Sequence, residues 1–173
     1  MLVSNILLTG VALAGTVLAD GKAIVAAMNK IKADTADLGN HVAAFKGDIL
    51  GVLPIAMGSL HLLDDIKKGT KTADASAPLT TPEALELAGA TGDLSKEVNK
   101  TLTAIIATKP KFDKLLVVSP IILLNLEQQQ KATKDFSAKV VSKVPESLKG
   151  IAQALIKPID DGFTQAIAKY KLF

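Results

Sequence analysis

Apolar residues recur at alternating spacings of three and four positions along most of this chain. The longest such run lies in residues 112–140, where one face carries Phe112, Leu115, Ser119, Ile122, Leu126, Gln129, Thr133, Phe136 and Val140. This spacing is typical of a helix that packs against other helices. The pattern predicts a central helix that is either continuous or divided at Ser119, because a cap residue followed by proline is a helix-start signal. Residues 115–124 are apolar nearly all round, so we expect several neighbouring helices to cover them.

Four more segments have the same periodicity and predict amphipathic helices. They cover residues 21–46, 49–68, 81–108 and 145–170. Gly69 is predicted to end the second helix, in which Pro54 marks either the start or a bend. Residues 70–81 then form a long loop, and we expect residues 70–79 to be mobile and to act as a lid or hinge. With no strand alternation, the predicted fold class is all-α, an antiparallel bundle of about five amphipathic helices.

The composition suits a helical interior that has little aromatic bulk. Hydrophobic residues make up 49% of the chain but aromatic residues only 3%, so the core must be built from Ala, Leu, Ile and Val. All 20 basic residues are lysine, and the net charge of +3 is small and scattered, which argues against a nucleic-acid partner. Cysteine is absent, which excludes disulfides and thiolate metal sites.

The first residues of the chain have the pattern of a secretory signal. Residues 1–19 contain no charged side chain and end in small residues before Asp20. A cleaved signal peptide explains this pattern, and a membrane anchor or a buried first helix is the alternative. We therefore predict a signal peptide over residues 1–19, a single helical-bundle domain over residues 20–173, and a secreted, extracellular or cell-wall location.

Candidate catalytic and metal-binding groups are sparse, so we expect a protein that is not an enzyme and needs no metal or cofactor. The carboxylate pairs at residues 64–65 and 160–161 are consecutive, and side chains about 100° apart on a helix do not easily share one site. The two histidines, His41 and His61, are isolated, which argues against a transition-metal site. No serine lies in a nucleophile elbow. Asn99 begins a glycosylation sequon, which matters only if Asn99 is exposed in an exported protein.

Several short stretches together resemble a known family. They are Val-Ala-Ala-Phe-Lys-Gly-Asp at residues 42–48, Leu-Leu-Asp-Asp-Ile-Lys-Lys-Gly-Thr at residues 62–70, Lys-Asp-Phe at residues 134–136, Lys-Val-Pro at residues 143–145, and Ile-Asp-Asp-Gly-Phe at residues 159–163 followed by Ala166, Ile167 and Tyr170. In this order they are similar to the fungal hydrophobic surface-binding protein A and cell-wall galactomannoprotein family. The resemblance implies a secreted helical bundle that adsorbs to hydrophobic surfaces. In some members it also implies fatty acids held in a long internal cavity.

Two functions follow from these observations. The residues alone fit a solid aliphatic core as well as a lipid cavity, and the resemblance favours the cavity. The first predicted function is that the interior holds a fatty acid or similar lipid, because each buried methylene contributes ~0.8 kcal/mol and a long acyl chain on the order of 10 kcal/mol before ordering costs. The alternative is an interfacial adhesin that turns an apolar face, such as that of residues 24–45, toward hydrophobic surfaces and recruits secreted hydrolases. A pore-former inserting residues 115–126 is a third possibility, which the shortness of that segment disfavours.

Polar residues on the inward stripe are the candidate lipid-binding groups. A buried hydroxyl or amide without a partner is unfavourable by about 1–3 kcal/mol. In the simplest account Ser119 caps a helix, Thr133 bonds to its own helix and Gln129 reaches another backbone group. In the second hypothesis Gln129, with Ser119 or Thr35, receives the carboxyl group of a fatty acid. The rest of the predicted lining is Ile122, Leu126, Phe136, Thr133, Phe45 and Leu60.

Overall fold

The computed structural model describes residues 20–171, which form five helices and two short 3-10 turns. The helices are α1 Asp20–Ala44, α2 Val52–Ala75, α3 Thr81–Phe112, α4 Val118–Lys143 and α5 Lys149–Tyr170, and the 3-10 turns are Asp113–Leu115 and Glu146–Leu148. This architecture confirms the all-α prediction. The signal peptide predicted for residues 1–19 lies outside the described residues. No helix within residues 20–171 is both long enough and apolar enough to cross a bilayer.

The five helices pack side by side in a closed ring, in the order α1–α2–α4–α5–α3. Consecutive helices alternate in direction, so their connections fall at two ends of the bundle. One end carries the α1–α2 and α3–α4 connections, and there Phe45 stacks on Phe112 with ring centroids 4.7 Å apart. At the other end, the amide of Leu79 in the α2–α3 connection donates to Lys143 O at the end of α4. The inward stripes of all five helices therefore face one interior.

Close helix contacts and one buried phenol complete the core. Tyr170, at the end of α5, is fully buried, and its hydroxyl donates to Ile105 O at 2.8 Å. Burial raises the pKa of the Tyr170 phenol well above its usual value, so the hydroxyl stays neutral. Gly39 lets α1 approach the Thr101 side chain of α3 closely, because a Cβ at residue 39 would be 2.5 Å from Thr101 Oγ1.

Helix α2 continues well past Gly69, so the prediction that Gly69 ends it is wrong. Gly69 is buried inside the helix, and a Cβ there would be 3.2 Å from both Ile31 Cδ1 of α1 and Phe136 Cε2 of α4. The glycine therefore allows close packing of three helices and does not form a turn. Residues 70–75 of the predicted loop are helical, which removes the basis for a long mobile lid at residues 70–79.

The long central stretch is divided into two helices. Helix α3 runs on through Pro110, a 3-10 turn follows, and α4 begins one residue before Ser119. Ser119 Oγ donates to Asp113 Oδ1 at 2.6 Å across this break. Pro120 lies in the first turn of α4, where a missing N–H removes no helical hydrogen bond. Of the two alternatives, division near Ser119 is therefore correct.

Neighbouring helices do not cover residues 115–124 all round, and that expectation is wrong. Leu116, Val117, Ile121 and Leu124 are between 49% and 88% exposed. In the ring each helix has neighbours on two sides and the interior on a third, so its outward face meets solvent. The same geometry leaves Ile151 on α5 55% exposed.

Candidate functional site

The five helices enclose a small cavity of about 30 Å³ near the middle of the bundle. Its wall takes residues from every helix, among them Leu38, Leu62, Leu102, Phe136 and Phe163, and no charged side chain of the described residues lines it. A cavity of this size holds about one water molecule, whereas small-molecule pockets span roughly 300–1,000 Å³. An acyl chain can therefore enter only if some of the helices or their side chains move.

Three polar side chains on the cavity wall have hydrogen-bond partners within the protein. Gln129 Nε2 donates to Ser59 Oγ at 2.7 Å, which links α4 to α2. Thr35 Oγ1 donates to Ile31 O at 2.7 Å. Thr101 Oγ1 donates to Thr35 O at 2.9 Å, which links α3 to α1. Gln129, Ser59, Thr35 and Thr101 are all buried, so these bonds avoid the unfavourable energy of an unsatisfied polar group.

Thr133 differs from these groups, because its hydroxyl has no hydrogen bond among the residues that the structure describes. It follows Gln129 by four positions, so the two side chains lie one turn apart on the same face of α4. Thr133 is only partly buried. Its free hydroxyl and the nearby Gln129 amide are both donors that a ligand oxygen could reach.

A groove of about 750 Å³ lies outside the cavity, between α4 and α5. Its apolar floor is made of Ala138, Val141, Ile156, Ile159 and Phe163. Three lysines on its rim pair with surface carboxylates: Lys134 with Asp160, Lys149 with Glu146, and Lys157 with Asp161. Asp160 and Asp161 line the groove as well, so a rim lysine meets an anionic ligand only when it leaves its carboxylate, which weak surface ion pairs of this kind allow.

The groove and the central cavity share three wall residues, Thr133, Ile159 and Phe163. Ile159 and Phe163 are buried and lie four positions apart on the inward face of α5. Thr133 faces the same region from α4. These side chains stand between the groove and the cavity, so a rotation of Phe163 or a small separation of α4 from α5 would join the two spaces.

The sequence matches a family of known proteins over much of this bundle. The model of the family described as hydrophobic surface binding protein A matches residues 21–142, which is more than half of the chain. The chain belongs to this family. The match confirms the resemblance noted from the sequence, and it covers α1 to α3 and nearly all of α4.

Curated relatives of this hydrophobic surface binding protein A family member are fungal cell-wall proteins. Cell wall mannoprotein 1 of Aspergillus flavus is 32% identical over 117 residues, which cover 68% of this chain and 42% of the relative. Cell wall mannoprotein 1 of Aspergillus fumigatus is 28% identical over 164 residues, which cover 95% of this chain and 57% of the relative. The chain thus spans about half the length of these relatives. They support the predicted extracellular or cell-wall location.

Solved structures with the same fold include two fatty-acid complexes. The crystal structure of Afmp4p in complex with palmitic acid has a TM-score of 0.83 and 27% identity, and the match covers 87% of this chain and 99% of that one. Ligand binding domain 1 of the Penicillium marneffei MP1 protein, complexed with arachidonic acids, has a TM-score of 0.82 and 21% identity over 87% and 98% of the two chains. Both likenesses confirm the helical-bundle fold.

Part of the site predicted from the sequence comes together in the structure. Thr35, Gln129, Thr133 and Phe136 all line the central cavity. Thr35 bonds to a carbonyl of its own helix. Gln129 bonds within the protein as the simpler account expects, although its partner is the Ser59 side chain and not a backbone group.

The other predicted lining residues lie elsewhere. Ile122 and Leu126 are buried in the core but outside the cavity wall. Ser119 bonds across the α3–α4 break, so it does not join Gln129 at one ligand site. Phe45 is in the aromatic stack that closes one end of the bundle. Leu60 is 60% exposed because it lies on the outward face of α2, so its placement in the interior is wrong.

Sequence reasoning missed the contribution of α5 to the site. Ile159 and Phe163 have the inward spacing of core residues. Nothing in that spacing distinguishes a side chain that stands between a groove and a cavity from one that only packs in the core. The rim lysines likewise resemble any other solvated helix residues. Which two helices form the groove depends on the order of the ring, and helical periodicity contains no information about that order.

Proposed function

We propose that this protein binds a fatty acid or similar acyl chain inside its helical bundle, and that the chain enters between α4 and α5. The observation that carries the proposal is that Thr133, Ile159 and Phe163 face both the open groove and the central cavity. The likeness to the palmitic acid complex of Afmp4p, at 27% identity and a TM-score of 0.83, supports the class of ligand.

The acyl tail would occupy the interior after the aliphatic side chains rearrange. Within residues 20–171, the cavity wall has only two aromatic side chains, Phe136 and Phe163, and is otherwise aliphatic with a few polar groups. Burial of a long acyl chain contributes on the order of 10 kcal/mol before ordering costs, and that energy can offset the separation of α4 from α5. The groove, whose volume of about 750 Å³ lies in the usual ligand-pocket range, is the path inward.

The carboxyl group would stay at the boundary between the groove and the cavity. There it accepts a hydrogen bond from the free hydroxyl of Thr133 and one from Gln129, whose amide has a second hydrogen besides the one donated to Ser59. Lys134 on the groove rim lies next to Thr133 in sequence, and it would exchange its ion pair with Asp160 for the carboxylate on the solvent side. This position avoids burying a carboxylate without donors, which is strongly unfavourable.

Filling the groove tests the proposal. Ala138→Trp places an indole in the groove, because Ala138 lines it and is exposed. Ala168→Trp is the matched control, since Ala168 is exposed on α5 but does not line the groove. We expect the palmitic acid affinity measured by calorimetry to fall at least about tenfold, or 1.4 kcal/mol, in Ala138→Trp only.

Two results would overturn parts of this account. If Ala138→Trp binds palmitic acid as tightly as the unaltered protein, the groove is not the entrance. If the unaltered protein binds no palmitic acid, the function itself is wrong. In either case Ala168→Trp shows whether an added surface indole changes the signal.

Binding also explains the site better than catalysis does. The family is named for binding, and both solved relatives are complexes with fatty acids. The consecutive carboxylates that might suggest acid–base chemistry lie in surface ion pairs: Asp64 with Lys68, Asp65 with Lys30 and Lys68, Asp160 with Lys134, and Asp161 with Lys157. We therefore propose a lipid-binding protein and not an enzyme.

Adsorption to hydrophobic surfaces is the second candidate function, but not through the face predicted from the sequence. The apolar stripe of residues 24–45 is buried against the other helices, and its members Ile24 and Val42 are fully buried. That face is the core side of α1 and is closed to a surface. A different set of apolar side chains is exposed, and it supports this second function.

A further inference from the structure

Nine of the eleven large hydrophobic side chains that are exposed within residues 20–171 lie toward one end of the bundle. Five of them belong to the α1–α2 connection and the first half of α2: Ile49, Leu50, Leu53, Met57 and Leu60. The other four belong to the α3–α4 connection and the start of α4: Leu116, Val117, Ile121 and Leu124. We call these nine side chains the apolar tip.

Two contacts place both connections at the same end of the bundle. Phe45, just after α1, stacks on Phe112, the last residue of α3. Lys111 Nζ donates to Phe45 O at 2.8 Å. Helices α2 and α4 therefore start side by side, and they are neighbours in the ring. The two groups of apolar side chains thus form one surface region.

The exposed side chains of the apolar tip face away from the core in a regular way. Leu53, Met57 and Leu60 repeat at spacings of four and three on the face of α2 opposite its buried residues. Val117, Ile121 and Leu124 repeat at the same spacings on the outward side of α4. The most exposed are in the connections, where Leu50 is 81% and Leu116 is 88% exposed.

Basic side chains lie in and beside the same two connections as this apolar region. Within residues 45–51 and 109–117 there are four lysines and two aspartates. Lys109 pairs with Asp113. Lys46, Lys111 and Lys114 are exposed and have no carboxylate partner among the described residues. Apolar side chains flanked by lysines that have no carboxylate partner among the described residues match the two layers of an anionic lipid surface, whose acyl region lies beneath negative head groups.

We propose that the apolar tip docks into an anionic lipid surface. Its apolar side chains enter the acyl region, and Lys46, Lys111 and Lys114 face the head groups. A second copy of the chain fits this surface less well, because it would bring two sets of these lysines together. The inference deepens the proposed function by naming the kind of surface from which fatty acids are taken. Docking itself does not require fatty-acid binding, and only this purpose rests on the proposed function.

Vesicle binding tests the inference with a matched pair of double variants. Leu50→Ser with Leu116→Ser removes the two most exposed side chains of the apolar tip. Leu85→Ser with Ile151→Ser is the control, because these side chains are 60% and 55% exposed and lie outside the tip. The probe is an equimolar phosphatidylcholine–phosphatidylglycerol vesicle, compared with a pure phosphatidylcholine vesicle in flotation.

We expect the unaltered protein and the control to bind the anionic vesicles equally, and the tip variant to bind them at least about tenfold more weakly. Lys46→Gln with Lys114→Gln should weaken binding to the anionic vesicles without changing binding to pure phosphatidylcholine. Near-identical melting temperatures would establish that all variants are folded. Unchanged vesicle binding by the tip variant overturns the proposal.

Self-association and fatty-acid binding are measured on the same variants. If sedimentation shows a dimer that the tip substitutions dissociate, and no variant binds vesicles, the occupant is a second copy and the proposal is wrong. Equal binding to both kinds of vesicle would overturn the role of the lysines. Calorimetry with palmitic acid in the absence of vesicles separates vesicle docking from the proposed fatty-acid binding. The tip variant should retain full affinity for palmitic acid even where docking is lost.

Discussion

Gln129 on α4 donates a hydrogen bond from Nε2 to Ser59 Oγ on α2 at 2.7 Å, and both side chains are buried. This buried polar bond thus joins two neighbouring helices inside a mainly aliphatic bundle. Because the amide has a second hydrogen, Gln129 can hold α2 and also donate to a ligand. The structural role and the ligand role predict different responses to substitution.

Gln129→Leu should destabilise the protein by about 1–3 kcal/mol in urea unfolding, because it leaves the Ser59 hydroxyl buried without its donor. Adding Ser59→Ala should restore part of that loss, since both polar partners are then absent. Palmitic acid affinity should fall about tenfold in Gln129→Leu and stay nearly unchanged in Ser59→Ala. An unchanged affinity in Gln129→Leu would leave Gln129 with a structural role alone.

Two glycines with different surroundings predict opposite effects of alanine. A Cβ at Gly39 would be 2.5 Å from Thr101 Oγ1, whose hydroxyl bonds to Thr35 O. Gly39→Ala therefore pushes α1 away from α3. We expect Gly39→Ala to lower the free energy of unfolding by about 1–3 kcal/mol. No atom of a described residue lies within 4 Å of a Cβ placed at Gly89 on α3, so Gly89→Ala should raise the free energy of unfolding by about 0.5–1 kcal/mol through helix propensity. An equal gain in both variants would contradict the close approach of α1 and α3.

The sequence predicted the helices well where one face alone is apolar. The stripe of α1 has a single interpretation, and its helix ends within two residues of the predicted boundary. Gly69 was misread because a glycine that ends a helix and a glycine that allows close packing look alike in a sequence. Only the approach of Ile31 and Phe136 distinguishes the two cases.

Segments that are apolar on both faces were the harder case. In α2 and in the first half of α4 the periodicity does not say which face is buried, so Leu60 was assigned to the interior and Leu124 was expected to be covered. The order of helices in the ring settles both questions. Gln129 and Thr133, by contrast, were identifiable because a polar residue on an apolar stripe is conspicuous in the sequence.

Asp34 of α1 and Asp65 of α2 form a carboxyl pair held by Lys30, whose Nζ is 2.7 Å from Asp34 Oδ1 and 2.8 Å from Asp65 Oδ2. Asp34 Oδ2 is buried and has no hydrogen-bond partner within the described residues. Burial, and then the neighbouring Asp65, raises the pKa of Asp34. The hydrogen bond that a protonated Asp34 donates, and then the one from Lys30, holds the pKa of Asp65 well below its usual value. A proton on Asp34 can thus be donated to ionised Asp65.

This pair predicts a distinctive pH dependence of stability. Because the pKa of Asp34 is higher in the folded chain, its contribution to stability increases as the pH falls through that raised value. Asp34→Asn, whose amide imitates the protonated acid, should be at least as stable as the unaltered protein at neutral pH and should lack this increase. Asp65→Asn should be less stable at neutral pH, because the contribution of Asp65 is lost only in strong acid. Parallel profiles for Asp34→Asn and the unaltered protein, from neutral pH to about pH 4, would refute the shared proton.

The glycosylation sequon at Asn99 is predicted to stay unmodified in the folded protein. Asn99 Nδ2 donates to Ser95 O at 2.9 Å, and the carboxamide packs where a Cβ at Gly162 of α5 would collide with it. A glycan on Asn99 would have to separate α3 from α5. The intact mass of protein secreted from a fungal host should therefore be the same for Asn99→Gln and the unaltered chain, apart from the substitution. A glycosidase-sensitive mass on the unaltered chain alone would show that the sequon is used.

The crystal structure of the complex with palmitic acid is the most direct test of the proposed lipid site. The account predicts an acyl chain that passes Phe163 between α4 and α5 into an enlarged interior. It also predicts a carboxyl oxygen about 2.7–3.2 Å from Thr133 Oγ1 or Gln129 Nε2. An acyl chain bound elsewhere, with the central cavity still at about 30 Å³, would contradict it.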